Sequence, residues 1–216
     1  MQLEVLYEDN HTIAVRKPAG LLIQMDDTGE ESLMDVVKEY IKVTKNKPGE
    51  VFLGLVHRLD RNVSGIVVFA KTSKAASRLS EQFREHQVEK VYTALVHGLV
   101  PDHAKLKHYL LKNEENNMTS VYDKPYGDAK EATLSFTVLR RRSDTSLVSI
   151  ILGTGRSHQI RAQMAYIGHP LVGDVKYGSN IKLPDHEISL CATKLAFNHV
   201  VTGERIVLET EPRWEV

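Results

Sequence analysis

Residues 57–71 read HRLDRNVSGIVVFAK. Their second half, residues 65–70, is a short continuous apolar run of the kind that forms a buried strand. Another apolar run, residues 51–56, comes just before the quoted stretch. We therefore predict that the polar residues 57–64 form a loop between two buried strands, and loops held by a rigid scaffold often carry chemistry.

The loop places one carboxylate, Asp60, between Arg58 and Arg61. Nearby cations favour the ionised form of a carboxylate, which is the form that a nucleophile or general base needs. Structural ion pairs that brace loops have the same composition, and composition alone favours that simpler interpretation. The loop residues by themselves leave both interpretations open.

Outward from the loop, the pattern predicts many strands and few helices. A helix is predicted from Ser32, which forms a capping pair with Asp35, and a second helix covers residues 73–86. A third helix is predicted over about residues 158–167, with Ser157 as its cap. Sequential strands favour an antiparallel or mixed sheet, so the predicted class is α+β. The predicted strands are residues 3–7, 12–15, 51–56, 65–70, 90–96, 106–111, 118–122, 132–139, 147–152, 189–197 and 205–209.

Bulk composition narrows the protein class. The chain has 216 residues with 42% hydrophobic content, and it has neither a repeat nor a long linker, so we expect one domain over residues 1–216. The single cysteine, Cys191, excludes an internal disulfide and favours a reducing cytoplasm. No apolar run approaches the roughly 20 residues that span a bilayer, so no membrane association is expected.

The charged residues argue both for and against binding to nucleic acid. The 28 Lys and Arg residues balance the 28 Asp and Glu residues, whereas nucleic-acid binders often have a basic excess. A local basic face is still compatible with this total, because Lys105, Lys107 and Lys112 lie close together and residues 140–142 are all arginine. Exposed charges also commonly serve only solvation, and both interpretations stay open.

Two further segments are candidates for function. The stretch GRSHQIR, residues 155–161, places two arginines at a predicted helix start, which suits an anion but also fits a capped helix with exposed arginines. Tyr92 lies in the strand-like stretch KVYTAL, where a tyrosine is ordinarily part of the core. The ten histidines are scattered, and His103 with His108 lacks a third ligand, so we expect no metal site.

Read together, these segments resemble the RluA family of RNA pseudouridine synthases. The family signature is close to His-Arg-Leu-Asp-x-x-Thr-Ser-Gly followed by an apolar strand, and Val63 stands where the threonine is usual. The resemblance continues along nearly the whole chain, although Ala162-Gln163, Cys191 and Val200 depart from the common residues. The other matching segments, in the family's order, are KPAG (17–20), KVYTALVHG (90–98), GRSHQIR (155–161), LVGDVKYG (171–178) and LCATKLAFNHVVTGE (190–204).

The resemblance implies a fold and an activity. The expected fold is a mixed, mainly antiparallel central sheet flanked by helices, with the catalytic cleft in the middle of the sheet. The expected activity is a cofactor-independent isomerase, an intramolecular transferase that breaks the N1 glycosidic bond of a uridine and rejoins the base through C5. The resemblance also implies that Asp60 is the catalytic carboxylate, that Arg161 is the basic partner of Asp60, and that Tyr92 packs on the base.

The resemblance also implies a partner, which is ribosomal or transfer RNA with the uridine flipped into the cleft. No cofactor or metal is expected, and a monomer is expected by analogy. The chain begins with the first strand of the catalytic domain, so we expect no N-terminal accessory RNA-binding domain. The residues expected to bind substrate are His57, Arg58, Arg61, Arg156, His158 and Gln159.

Two alternative functions remain at this point. The first is a non-catalytic RNA-binding or assembly protein on the same fold. The second is a glycoside hydrolase, which needs a second carboxylate roughly 5–10 Å from the first. Asp174 is the one motif acid considered for that position, and we expect it to be a structural turn residue before Tyr177 and Gly178.

Overall fold

The described strands and helices confirm the α+β class. The computed structural model describes residues 3–26, 29–46 and 48–214. The described α-helices are α1 (Leu33–Thr44), α2 (Ser73–Arg84) and α3 (Gln159–Tyr166). The described strands are β1 (Glu4–Glu8), β2 (Thr12–Lys17), β3 (Gly54–Leu55), β4 (Ser64–Ala70), β5 (Glu89–His97), β6 (His103–Asn113), β7 (Met118–Tyr122), β8 (Lys130–Arg141), β9 (Thr145–Leu152), β10 (Leu190–Asn198) and β11 (Arg205–Glu209).

The chain divides into two compact units. The first comprises the residues up to Glu89 together with Ala192–Glu211, and the second comprises Lys90–Cys191 together with the residues from Pro212 onward. That both units act as a single domain remains a prediction. Within the described ranges, no helix combines the length and the apolar character that crossing a membrane requires.

The sheet of the first unit is centred on β4. Its strands neighbour one another in the order β1, β2, β4, β10, with β3 paired to β4 and β11 paired to β10. The pairs β1–β2, β2–β4, β3–β4 and β10–β11 are antiparallel. Every residue of β4 is buried, as its continuous apolar run predicts.

One face of this sheet packs against α2. Side chains two residues apart in a strand point to the same face, and Ile66, Val68 and Ala70 of β4 share a buried cluster with Ala75 and Leu79 of α2. The strand that carries the candidate loop is therefore fixed from the side as well as by its neighbours.

Gly65 follows the candidate loop directly and permits close strand packing. Its φ angle is +121°, and a Cβ atom built there would lie 2.4 Å from both the backbone nitrogen and the backbone oxygen of Ala192 in β10. Any larger residue would force β4 and β10 apart. The glycine thus fixes the point at which the loop enters the sheet.

The sheet of the second unit runs in the order β5, β9, β8, β6, β7, and each of these neighbouring pairs is antiparallel. Helix α3 packs on β6 and β7. The predicted cap of this helix is wrong: His158, not Ser157, is the N-cap, and no side chain caps the helix. The chain enters α3 through a left-handed His158 with φ of 51°, and this turn moves Ser157 out of the capping position.

Candidate active site

The loop around Asp60 is held by buried apolar residues on either side of the carboxylate. It connects β3 to β4, and Leu59 and Val63 are 7% and 2% exposed, whereas Asp60 is half-buried. The backbone N–H of Val63 donates to the carbonyl of Asp60 at 3.1 Å and closes a turn. The predicted loop between two strands is confirmed, although the preceding strand covers only Gly54–Leu55 rather than residues 51–56.

A fully buried lysine at the end of β2 fixes the same loop. The Nζ atom of Lys17 donates to the carbonyls of Arg61 and Val63, each at 2.8 Å, and to that of Pro18 at 2.9 Å. An ammonium group has three donors, so three carbonyls match it completely. Sequence reasoning recorded Lys17 only as part of the KPAG segment. The sequence feature that could have indicated its role is a lysine at the end of the strand TIAVRK, every residue of which is buried.

Lys17 is also electrostatically linked to Asp60. Burial lowers the pKa of Lys17 to about 7, the charge of Asp60 acts in the opposite direction, and Arg61 lowers the pKa further. Removing an ammonium from water disfavours its charged form, while an anion nearby favours it. The protonation of Lys17 therefore changes near neutral pH, directly beneath the backbone that carries the candidate catalytic carboxylate.

The lowered pKa of Lys17 predicts a pH-dependent stability. In the unfolded chain Lys17 keeps its proton up to its ordinary pKa of 10.5, whereas the folded pKa is about 7. Between these values the unfolded chain binds more protons, so the contribution of Lys17 to the free energy of unfolding rises with pH. Lys17→Met lacks this group. We therefore expect the free energy of unfolding of wild type, relative to that of Lys17→Met, to rise by about 1 kcal/mol per pH unit in this window. Urea denaturation near pH 7.5 and pH 9 measures it, and a difference that stays constant would contradict the lowered pKa.

His57 braces the start of the loop. Its Nε2 atom accepts the backbone N–H of Val68 at 3.0 Å, and its ring stacks on Phe83 with the centroids 4.7 Å apart. The first contact ties the loop to β4 and the second ties it to α2. The expected contact between His57 and substrate remains a prediction.

The two arginines that flank Asp60 in sequence are both exposed. The Nε atom of Arg61 donates to the carbonyl of Gly20 at 2.9 Å, and its Nη2 atom forms an ion pair with Glu30 at 2.5 Å. Exposed pairs of this kind contribute little to stability, about 0–1 kcal/mol. The expected contacts of Arg58 and Arg61 with substrate likewise remain predictions.

Arg161, in the first turn of α3, forms a buried two-point ion pair with Asp174. The Nε–Oδ2 distance is 2.7 Å and the Nη2–Oδ1 distance is 2.9 Å, and the two side chains are 5% and 1% exposed. Such a paired geometry fixes the plane of the guanidinium as well as its position. Asp174 is thus more than the expected turn residue, and its engagement with Arg161 argues against its use as the second acid of a glycoside hydrolase.

Tyr177 supports Arg161 from another side. The Cζ atom of Arg161 lies 5.0 Å from the centroid of the Tyr177 ring, within the range of cation–π contacts. The phenol oxygen accepts the backbone N–H of Thr119 at 2.8 Å and lies 2.9 Å from Nδ1 of His158. Burial raises the pKa of Tyr177, so the phenol stays neutral. Sequence reasoning missed this residue, although the segment LVGDVKYG contains both it and Asp174.

Gln159 organises the turn before α3. Its Oε1 atom accepts from Thr154 Oγ1 at 2.7 Å and from the Arg156 N–H at 3.0 Å, and its Nε2 atom donates to the carbonyl of Thr133 at 3.0 Å. The Nε atom of Arg156 donates to the carbonyl of Glu131 at 3.0 Å. Within the second unit these residues brace the turn, and the substrate contacts expected of Arg156, His158 and Gln159 remain predictions.

Tyr92 lies in β5, where it is 9% exposed and faces Ile150 of β9 across the strand pair. Asp60 belongs to the first compact unit, whereas Tyr92 and Arg161 belong to the second. Tyr92 lies in strand β5, Arg161 lies in helix α3, and Asp60 lies in the loop between β3 and β4. That they share one catalytic cleft in the middle of a sheet remains a prediction.

Comparisons with known proteins agree on one family. The family model described as RNA pseudouridylate synthase matches residues 11–166. The chain is 37% identical over 215 residues to a ribosomal large subunit pseudouridine synthase C of Buchnera aphidicola from Acyrthosiphon pisum, covering 95% of this chain and 66% of that protein. It is 31% identical to a tRNA pseudouridine synthase C of Vibrio parahaemolyticus, covering 97% of this chain and 90% of that protein. The chain thus spans about two thirds of the first relative's length.

Solved structures show the same fold. The structure titled human RNA pseudouridylate synthase domain containing 4 matches with a TM-score of 0.81 at 23% sequence identity, covering 97% of this chain and 89% of that one. A second human structure, RNA pseudouridylate synthase domain containing 1, matches with a TM-score of 0.76 at 22% identity, covering 98% of this chain and 84% of that one. At these identities the likeness concerns the fold.

Proposed function

This chain belongs to the RNA pseudouridylate synthase family, and we propose that it isomerises uridine to pseudouridine in RNA with Asp60 as the catalytic carboxylate. The observation that carries the proposal is the family match over residues 11–166, which includes the HRLD loop and its anchors. The braced loop supports it further, since Leu59, Val63 and Lys17 hold the backbone around a half-buried carboxylate.

The proposed reaction needs only groups that a protein supplies. The N1–C1′ bond of the uridine breaks, the base turns, and a C5–C1′ bond forms. The proton on C5 is lost and N1 gains one, so product and substrate are isomers and no electrons are exchanged with a cofactor. Asp60 acts as the nucleophile, which must be deprotonated before it attacks and is released when the base rejoins the ribose.

Arg161 and Tyr92 complete the proposed catalytic set. We assign to Arg161 the role of offsetting the negative charge of Asp60. This role suits a guanidinium that Asp174 and Tyr177 already hold in one plane. We assign to Tyr92 the packing on the base and assistance in removing the C5 proton. Both assignments follow the matching positions in the GRSHQIR and KVYTALVHG segments.

The proposed substrate is ribosomal or transfer RNA, the two classes that the relatives' names give for those proteins. A paired uridine can be reached only after it flips out of its stack, at a cost of about a few kcal/mol. Phosphate contacts from exposed arginines, of which Arg58 and Arg61 are candidates, offset that cost. We further propose that the protein acts as a monomer in the cytoplasm.

Mapping pseudouridine across total RNA tests the proposed activity. We expect at least one uridine of ribosomal or transfer RNA to be modified in cells with the gene and unmodified in its deletion strain. Reintroduced wild type should restore the site, and an Asp60→Ala variant should not. Equal rescue by both would favour the alternative function, a non-catalytic RNA-binding or assembly protein, and an unchanged map on deletion would contradict the enzyme.

A further inference from the structure

A shallow pocket in the second unit shares no residue with the candidate active site. It lies on β7, the loop that follows β7 and the end of α3, with a volume of about 390 Å³. Its lining includes three tyrosines, Tyr122, Tyr126 and Tyr166. Small-molecule sites usually measure roughly 300–1,000 Å³, so the pocket has the size of a site for one compact ligand group.

Two of the three tyrosines of this pocket are exposed, and the third, Tyr122, is half-buried. The rings of Tyr122 and Tyr126 stack with their centroids 4.4 Å apart and their planes 16° apart. Tyr126 is 57% exposed and Tyr166 is 46% exposed. Aromatic rings that serve a core are mostly buried, whereas these leave a rigid aromatic surface in contact with solvent.

A chain of contacts that runs from the surface to the buried pair His108–Gln163 holds Tyr166 beside the stacked pair. Its hydroxyl donates to Asp123 at 2.9 Å, and its ring meets the edge of His108 with the centroids 5.1 Å apart. The Nε2 atom of Gln163 lies 3.0 Å from Nδ1 of His108, and burial lowers the pKa of that histidine. A neutral imidazole accepts this hydrogen bond, so the ring is fixed without a charge. These contacts fix the position of the Tyr166 ring in the pocket wall.

The polar groups at the pocket match those of a nucleotide. The Asp123 side chain is 72% exposed and retains acceptor capacity, and Lys124 follows it in the lining. A carboxylate accepts from the exocyclic amino group of a base, a lysine contacts phosphate, and tyrosine rings stack on any base. Stacking on aromatic side chains is the usual way in which proteins hold unpaired RNA bases.

We propose that this pocket binds an unpaired base of the RNA substrate, distinct from the uridine that is isomerised. The identity of the ligand as RNA rests on the proposed function, whereas the aromatic pocket does not. Tyr166 and Arg161 lie five residues apart on α3, which corresponds to about 7.5 Å along the helix axis. A base held here is therefore held by the same rigid element that carries the proposed catalytic guanidinium.

A binding experiment on Tyr126 tests this proposal. The probes are a fluorescein-labelled RNA of ten adenosines and an abasic ribose-phosphate chain of equal length. We expect Tyr126→Ala to weaken binding of the adenosine chain about 10-fold, as loss of one base–aromatic stack does, and to leave binding of the abasic chain unchanged. Tyr126→Phe keeps the ring and should bind like wild type. Leu139→Ala is the matched control, because Leu139 is also 57% exposed and lies in the same unit.

Three outcomes would overturn the pocket proposal: equal affinities of wild type and Tyr126→Ala for the adenosine chain, an equal loss with the abasic chain, or an equal loss in Leu139→Ala. Failure of the proposed function has a different signature, because the assay detects binding and needs no isomerisation. A protein that makes no pseudouridine but loses adenosine binding on Tyr126→Ala would keep the pocket and lose the catalytic proposal.

Discussion

Asp60→Asn is expected to reduce pseudouridine formation by at least about 10³-fold, within the range for removal of a single acid–base group and below the loss that removal of a nucleophile can cause. The amide has nearly the size of the carboxylate, but it is neither a nucleophile nor a base. The loop should keep its conformation, because the buried Leu59 and Val63 are unchanged and the Asp60 side chain is only half-buried. Chromatography of nucleosides from RNA treated with the purified variant measures the loss.

Two controls separate chemistry from folding in that experiment. Thermal unfolding of Asp60→Asn should stay close to that of wild type. Asp144→Asn makes the same chemical change at an exposed position of the second unit and should retain full activity. A variant at Asp60 that retains wild-type activity would remove Asp60 from the mechanism, whatever its effect on stability.

Asp174→Asn is expected to give a large loss of stability. It removes the charge of one partner from the buried ion pair with Arg161 and leaves the guanidinium without its compensating anion. Breaking a buried pair in this way costs about 3–5 kcal/mol. In a chain of this size that corresponds to a fall in melting temperature of roughly 10 °C. Chemical and thermal denaturation of the purified variant measure the change.

The exposed pair Arg141–Asp102, in the same unit, supplies the matched control. Its side chains are 39% and 80% exposed, so Asp102→Asn should cost no more than about 1 kcal/mol. If Asp174→Asn were no more destabilising than Asp102→Asn, the buried pair would not hold Arg161 as inferred. Activity at a temperature where Asp174→Asn is folded should also fall, because the plane of the guanidinium is no longer fixed.

The parts of the fold that depend on local pattern could be predicted from the sequence. The apolar run of residues 65–70 became the buried strand β4, and the capping box of Ser32 and Asp35 begins α1 as expected. Alternation of apolar and polar residues located the sequential strands of the second unit, which pair antiparallel. These features need only neighbouring residues, so their signal lies within short windows of the chain.

The contacts that fix the candidate site join distant residues, and no local pattern encodes them. Lys17 reaches the carbonyl of Val63 across 46 positions, and Arg161 pairs with Asp174 across 13. The sequence supplied the residue types and the family resemblance, but not these partners. The wrong cap at Ser157 has a related cause, since the left-handed conformation of His158 depends on the tertiary setting of the turn.

Release of hydrogen from C5 tests the central claim most directly. Purified wild type is incubated with ribosomal or transfer RNA from the deletion strain, labelled with [5-³H]uridine, and tritium in water is counted beside the newly formed pseudouridine. Joining C5 to C1′ requires loss of the C5 hydrogen, so we predict one tritium released for each pseudouridine formed, without added metal or cofactor. Binding of the RNA with no tritium released from either RNA class would contradict the proposed isomerase.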